Sequence, residues 1–370
     1  MTIRIPLETL RAFAREALVR SGLTEEAAAT AAEVVVYADE HGFTTHGSNA
    51  LAGIYSPRLL DGRINPAAAP RTVAETASSA VIDGDGGLGL VTTTLATDLA
   101  VAKAKQTGIA MVAVRNSSHF GSAGYYAHRA TEAGLIAIAM TNCGAQGVAP
   151  PLGGLTRMLG TNPLAVAAPA PGGAPFVLDM SATTVATGKI RAAQREGRSV
   201  PEGWLTAPDG TPVTDPDAYF DGKADVTWLG GSAATGGAKG YGLAILVDLL
   251  CGPLAGASYG PTPDLLENGE ERPDTDIGHT VIAIDPAAFG AAESFGAGAR
   301  ELLDTVSACP PAVPGGYVTY PGAPEAAKAA ESRASGVALP GHVAAQLVAL
   351  AERLDLATPV ELRGEAVSAR

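Results

Sequence analysis

The residue types best suited to chemistry fall in two short polar loops. One is 116-NSSHFGSAGYY-126, which follows 109-IAMVAVRN-116, a run with the composition of a buried strand. Polar groups at the end of such a strand are where α/β proteins place ligand contacts. A histidine at this place, His119, can pass a proton near neutral pH, as hydride transfer at a carbinol carbon requires. Gly121 and Gly124 let the backbone turn there and approach a ligand. Against this stands a plain reading, a histidine capping the next helix. The second loop is 44-TTHGS-48, in which Thr45 and His46 are suited to hydrogen-bond a substrate oxygen or orient a second proton donor, or simply close a helix.

A carboxylate completes the set. Asp179 ends the apolar run in 176-FVLDMSATT-184, where desolvation is costly unless a partner is at hand. His46 or His119 would serve as that partner, and capping of the following helix explains the residue equally well.

Two glycine-rich segments invite a phosphate. The segment 84-GDGGLG-89 has the form GxGxxG between a strand and a helix. A Rossmann site also needs an acidic residue about 20 positions on to hold the ribose. Arg115 and Asn116 stand at the end of the second strand, so a tight glycine turn competes with the phosphate reading. The segment 230-GGSAATGGAKGYGL-243 places Lys239 and bare backbone N–H groups at the start of an apolar helix, an anion site by its chemistry. No Ser or Thr follows the lysine, so it is not a Walker loop. HExxH and zinc-type Cys/His spacings are absent from the sequence, and no metal is expected.

These residues belong to a chain of 370 with 46% hydrophobic and 17% charged content, an ordinary globular composition large enough for two subdomains. A net charge of −13 with scattered Lys and Arg argues against a nucleic-acid partner. Three cysteines form no CxxC pair, and the N-terminus lacks the apolar core of a signal peptide. The apolar run 243–257 contains Asp248 and Pro253 and is too short to cross a bilayer. The expectation is a cytoplasmic protein acting on a small molecule, with no membrane partner.

The elements that must position the loops read as follows. Residues 7–20 and 24–41 have helical spacing, with Thr24 as an N-cap and Gly42 as a stop. From 78 the pattern runs strand, glycine turn, helix (91–107), strand, helix (122–133), strand, which predicts an α/β fold with a parallel or mixed sheet. Two more strands precede a helix near 182–196, turn-rich sequence fills 199–236, and an apolar helix starts near Lys239. A charged loop (261–278) leads to the strand HTVIAIDP and a helix over 291–306, and 325–357 reads as helices returning to the N-terminal pair.

Taken together, NSSHFGSAGYY, LGTNPLAVAAP (159–169), LDMSATTVATGKI (178–190), PEGW…DGTPVTDP and GAKGYGLAILVDLLCG resemble the malate/L-lactate dehydrogenase family, over nearly the whole chain. That family also includes ureidoglycolate, sulfolactate and 2,3-diketogulonate dehydrogenases and cyclic-imine reductases. The resemblance implies a non-Rossmann α/β fold: a large mixed β-sheet domain for cofactor binding and catalysis over 78–324, and a mainly helical domain from 1–77 plus 325–370. It implies a homodimer using NAD or NADP, with His119 as proton donor or acceptor and His46, Asp179 and Thr45 assisting. Cofactor contacts fall on Cys143, Asp179, Met180, Ser181, Lys239 and the turn of Gly322, Ala323 and Pro324.

Three positions depart from the family pattern. Thr45 replaces the serine before the histidine, and the turn usually written PGE is PGA at 321–323. Ala50 stands where the family has an arginine, whose planar fork grips a substrate carboxylate. The leading expectation is hydride transfer between nicotinamide and a 2-hydroxy or 2-oxo acid. Reduction of a C=N bond in a cyclic imino acid is the first alternative, and a non-catalytic nucleotide-binding protein the second.

Overall fold

The computed structural model describes residues 2–268, 275–291 and 293–363. The chain opens with strand β1 (Thr2–Ile5) and helices α1 (Leu7–Arg20) and α2 (Glu25–Glu40). Thr24 accepts a hydrogen bond from Ala27 N and carries Glu25 and Glu26 in the first turn of α2, where the helix dipole favours acids. A continuous helical run follows: α3 (Ser48–Ala50), a π-turn over Leu51–Tyr55, and α4 (Ser56–Leu60).

Next come β2 (Arg71–Glu75), β3 (Ser79–Asp83), α5 (Gly89–Thr107), β4 (Ile109–Ser117), α6 (Ala123–Glu132), β5 (Ile136–Thr141), β6 (Leu164–Ala168), β7 (Phe176–Met180) and α7 (Thr187–Arg195). The turn-rich stretch folds into β8 (Leu205–Thr206), β9 (Pro212–Val213), α8 (Asp217–Phe220) and β10 (Asp225–Val226). Then follow α9 (Gly237–Cys251), α10 (Pro263–Asn268), β11 (Ile277–Ile284), α11 (Ser294–Ser307), α12 (Ala323–Ser335), β12 (Val337–Pro340) and α13 (Gly341–Leu354). The charged loop expected over 261–278 begins as α10, and its residues 269–274 lie outside the described residues.

Seven strands form one mixed sheet in the order β2-β3-β4-β11-β5-β6-β7. Only β3 and β4 pair in parallel, through the crossover helix α5. β11 enters between β4 and β5 antiparallel to both, so their C-terminal ends face the same edge of the sheet. β6 and β7 add two antiparallel steps, which returns the C-terminal end of β7 to that edge. His119, Cys143 and Ser181 all follow strands that end there.

The strongly apolar strands are explained by burial on both faces. Val112, Val114, Ala137, Ala139, Val281 and Ala283 sit in one core cluster with Leu10, Leu18, Val34 and Val35 from α1 and α2 and Leu347 from α13. A second cluster gathers Leu159, Ile190, Leu205, Trp228 and Ala244 around the small sheet of β8–β10. At the chain ends, β1 pairs antiparallel with β12, Thr2 opposite Pro340 and Ile5 opposite Val337. Ser332 Oγ donates to Glu40 O at 3.0 Å and docks α12 on α2.

Candidate active site

The loop after β4 carries His119 over the sheet edge, and the segment 84-GDGGLG-89 holds it from behind. Gly89 N donates to Ser118 Oγ at 3.0 Å. A Cβ on Gly89 would run into Ser118 O and lie 2.6 Å from His119 O. The glycines here bring the start of α5 against the His119 loop, and Gly84 N and Gly86 N are taken by the carbonyls of Arg115 and Asn116. These contacts pack the glycine turn against the histidine loop, as the plain reading of the motif expects.

The His119 ring is fixed through one nitrogen. Nδ1 receives the Gly121 N–H at 3.3 Å and stands 3.0 Å from Tyr55 Oη. A backbone N–H only donates, so Nδ1 of the neutral ring holds a lone pair and Nε2 carries the proton. Burial pushes the imidazole down to about 3, helped by the charges of His46, Arg58 and His279. Tyr55 is wholly buried, and burial raises its hydroxyl well above the usual phenol range.

His46 stacks beside His119, ring centroids 5.7 Å apart. Burial lowers its pKa and the Asp179 carboxylate opposes that fall. Asp179 therefore has a histidine beside it, yet its hydrogen bonds go elsewhere: Oδ2 accepts from Gly124 N at 2.7 Å and Ser122 Oγ at 2.9 Å. It caps α6 from a distant strand, and a Cβ on Gly124 would stand 2.9 Å from that oxygen. The capping anticipated for Asp179 thus serves α6 rather than the helix that follows it. Thr45 lies against the first turn of α7, where a Cβ on Gly188 would be 3.3 Å from its Cγ2.

Asp39, which the sequence gives no reason to single out, holds the His46 loop. Its Oδ2 accepts from Ser48 N at 2.7 Å and Ser48 Oγ at 2.5 Å, while Oδ1 is buried without a partner. Burial pushes this carboxyl up to about 7 against the pull of the Ser48 hydrogen bonds. His279 was another silent residue. It stacks on Phe120 at 5.0 Å and contacts Thr141 Oγ1 at 2.7 Å and Ser117 Oγ at 3.0 Å, a polar layer under the His119 loop. Tyr55 and Asp39 were legible only as an aromatic and an acid on otherwise apolar helix faces.

The expected cofactor contacts follow β7, the free edge of the sheet. Gly322 stands at one end: its φ is +100°, and a Cβ there would lie 2.7 Å from Val177 N. Val177 N donates to Pro321 O at 3.0 Å, so the same parity directs the backbone groups of Asp179 outward from the edge. Ala323 and Pro324 start α12 beside it. Further on, Met180 pairs with Leu164, and Ser181 Oγ donates to Thr183 O at 2.8 Å.

Lys239 lies at the far end, in the first turn of α9, held there because Gly240 packs against Leu229 and Ala182 O. It is exposed and makes no ion pair among the described residues. Cys143 is half-buried 3.8 Å from Thr161 Oγ1, and burial raises its thiol, which makes it a wall rather than a nucleophile. An open edge strand, close-packed glycines and an unpaired lysine fit an extended, doubly phosphorylated dinucleotide. A cavity of about 210 Å³ opens at the Gly322 end, lined by Tyr37, His41, His128, Glu325 and Arg333. Among the described residues no group of His, Cys, Asp and Glu is placed to hold a metal, and no helix is long and apolar enough to cross a membrane.

His119, on the loop after β4, stacks with His46 beside the open edge strand, a pair suited to proton exchange, and comparison with known proteins supplies the class. The malate/L-lactate dehydrogenase family model matches residues 5–348. Malate dehydrogenase of Pyrococcus horikoshii is 38% identical over 304 residues, 82% of each chain. Delta(1)-pyrroline-2-carboxylate reductase of Ancylobacter novellus is 33% identical over 353 residues, 95% of this chain and 98% of that one. The crystal structure of malate dehydrogenase from Entamoeba histolytica superposes with a TM-score of 0.89 at 30% identity, covering 97% of this chain and all of that one (100%). The protein is an NAD(P)-dependent oxidoreductase, and it belongs to the malate/L-lactate dehydrogenase family.

Proposed function

We propose that the protein interconverts a small 2-hydroxy acid and its 2-oxo acid, with NAD or NADP as the hydride carrier and His119 as the proton donor and acceptor. The observation that carries this reading is the His119 ring itself, anchored at Nδ1 by Tyr55 and Gly121 so that Nε2 is its exchanging atom. The bound nicotinamide supplies or receives the hydride at the carbinol carbon. His119 exchanges the oxygen's proton, and His46 and Thr45 orient that oxygen while Asp179 steadies both the His46 ring and α6. Met180, Ser181, Lys239, Cys143 and the turn of Gly322, Ala323 and Pro324 line the cofactor.

The protein acts in the cytoplasm as a homodimer in this reading. Support for a second copy comes from Leu246, Leu249 and Leu254 on and just after α9, which are 46%, 54% and 55% exposed. A second reading, reduction of a cyclic imino acid, is favoured by Ala50 in the arginine's place and by the pyrroline-carboxylate reductase relative.

Oxidation of NADH and NADPH against panels of 2-oxo acids and cyclic imines decides between them. Turnover of 2-oxo acids supports the first reading, and imines alone the second. His119→Ala should then lower kcat roughly 10²–10⁴-fold while leaving cofactor affinity nearly intact. Unchanged turnover would remove His119 from the chemistry.

A further inference from the structure

The proposed substrate carries a carboxylate, and the arginine that the family resemblance places at position 50 is Ala50, which is wholly buried. The helical run that begins at Ser48 carries another arginine, Arg58. Tyr55 Oη reaches His119 Nδ1, so the face of the run holding Tyr55 looks into the site. Arg58 follows at i+3, on the same face.

The π-turn over Leu51–Tyr55 sharpens this placement. A π-turn advances roughly 80° per residue and an α-helix about 100°, so the turn returns Arg58 to within about 20° of Ala50's direction. In an uninterrupted α-helix the two would diverge by about 80°. Arg58 is half-buried, and its charge acts on both Tyr55 and His119.

We propose that Arg58, brought round by the π-turn, grips the substrate carboxylate in place of an arginine at position 50. The inference rests on the 2-oxo acid reading. Its geometry has a consequence for proton transfer. The charged or titratable groups acting on His119 are His46, Arg58 and His279, with Tyr55 at Nδ1, and all three of the former disfavour the imidazolium. A carboxylate seated on Arg58 offsets one of these, so the substrate helps to protonate its own donor. In reduction the carbon gains the hydride, the C=O π pair moves to oxygen, and that oxygen takes the His119 proton to give the 2-hydroxy acid.

The test compares a 2-oxo acid with its uncharged amide in the wild type, Arg58→Gln and Arg58→Lys, with thermal unfolding of each. In Arg58→Gln the KM for the acid should rise 30-fold or more, on the order of the bidentate pair lost, and the amide's kcat/KM, compared on the pH plateau of each protein, should stay within about twofold. Arg58→Lys should fall between, because it keeps the charge without the fork. The alkaline limb of the amide's pH profile, where His119 loses its proton, should move to higher pH in Arg58→Gln, which a purely structural role would not produce.

Equal losses on acid and amide, or an unchanged acid KM, would overturn the proposal. If the wild type turns over neither compound, the 2-oxo acid reading fails. Calorimetric binding of oxamate to wild type and Arg58→Gln in the presence of reduced cofactor then decides the arginine: weaker binding in the variant upholds it, equal binding overturns it.

Discussion

Tyr55 Oη lies 3.0 Å from His119 Nδ1, and it is the partner of that nitrogen able to reverse its role. Gly121 N–H can only donate, which suits the neutral ring and opposes the imidazolium. The hydroxyl donates to the neutral ring and accepts from the protonated one. Tyr55→Phe keeps the buried ring and removes this switch. A hydrogen bond to a charged group is worth about 1.5–3 kcal/mol, so kcat should fall roughly 10- to 100-fold, with the pH optimum for reduction displaced to lower pH. A pH–rate series on the variant checks both, and a profile superimposable on wild type would remove Tyr55 from proton transfer.

The glycine motif at 84–89 yields a prediction that separates packing from phosphate binding. Gly89→Ala drives a methyl into the carbonyls of Ser118 and His119. Turnover should fall at least tenfold because the catalytic loop must shift, in line with the sensitivity of such sites to small displacements. Cofactor affinity, measured by nicotinamide fluorescence, should change far less. Weakened cofactor binding with intact kcat would restore the phosphate-cradle reading.

What the sequence exposes and what it hides divides along physical lines. His119, His46 and Asp179 stand out because each breaks a local pattern: polar groups at the end of a buried strand, a histidine in a glycine loop, a carboxylate closing an apolar run. Lys239 is legible for the same reason. The alternating strands and crossover helix likewise announce a mixed α/β sheet.

Tyr55, Asp39 and His279 are silent, since their meaning lies in partners 64, 9 and 162 positions away: His119, Ser48 and Ser117. Non-local pairing also hides the β1–β12 ribbon, whose four-residue strands carry too little pattern to be seen alone. The π-turn leaves no mark that composition reveals.

Asp179 links β7 to α6 and sets the charge beside His46. Asp179→Ala strips the cap from Gly124 N and Ser122 Oγ and should cost about 1–2 kcal/mol of stability, the usual range for a lost cap. Asp179→Asn retains an acceptor and should cost less. Both remove the charge that opposes burial at His46, so the His46 pKa should fall further, read from its ring-proton shifts. A rise in that pKa would contradict the electrostatic pairing.

Acid stability should report on the buried histidines. Burial holds His279 at about 3 and His41 at about 4, whereas in the unfolded chain each titrates near 6.5. Between these values the unfolded chain binds the proton and the folded one does not, so stability falls as pH drops below about 6.5. Asp39 and Asp248 act in the opposite sense. Burial raises them to about 7 and about 6, so their contribution is largest below the unfolded value near 3.9 and is lost as pH rises through the folded one.

His279→Gln keeps a polar group near Thr141 and Ser117 but abolishes one titration. It should cost about 1–2 kcal/mol near neutrality, through the lost stacking on Phe120 and imperfect hydrogen bonds. Its unfolding free energy should then depend less on pH between 4.5 and 6, by up to about 1.4 kcal/mol per pH unit. Urea unfolding at three pH values in that window measures the slope. An unchanged slope would mean that His279 does not remain neutral in the folded protein, and the hydrogen bonds around it would have to be redrawn with both nitrogens protonated.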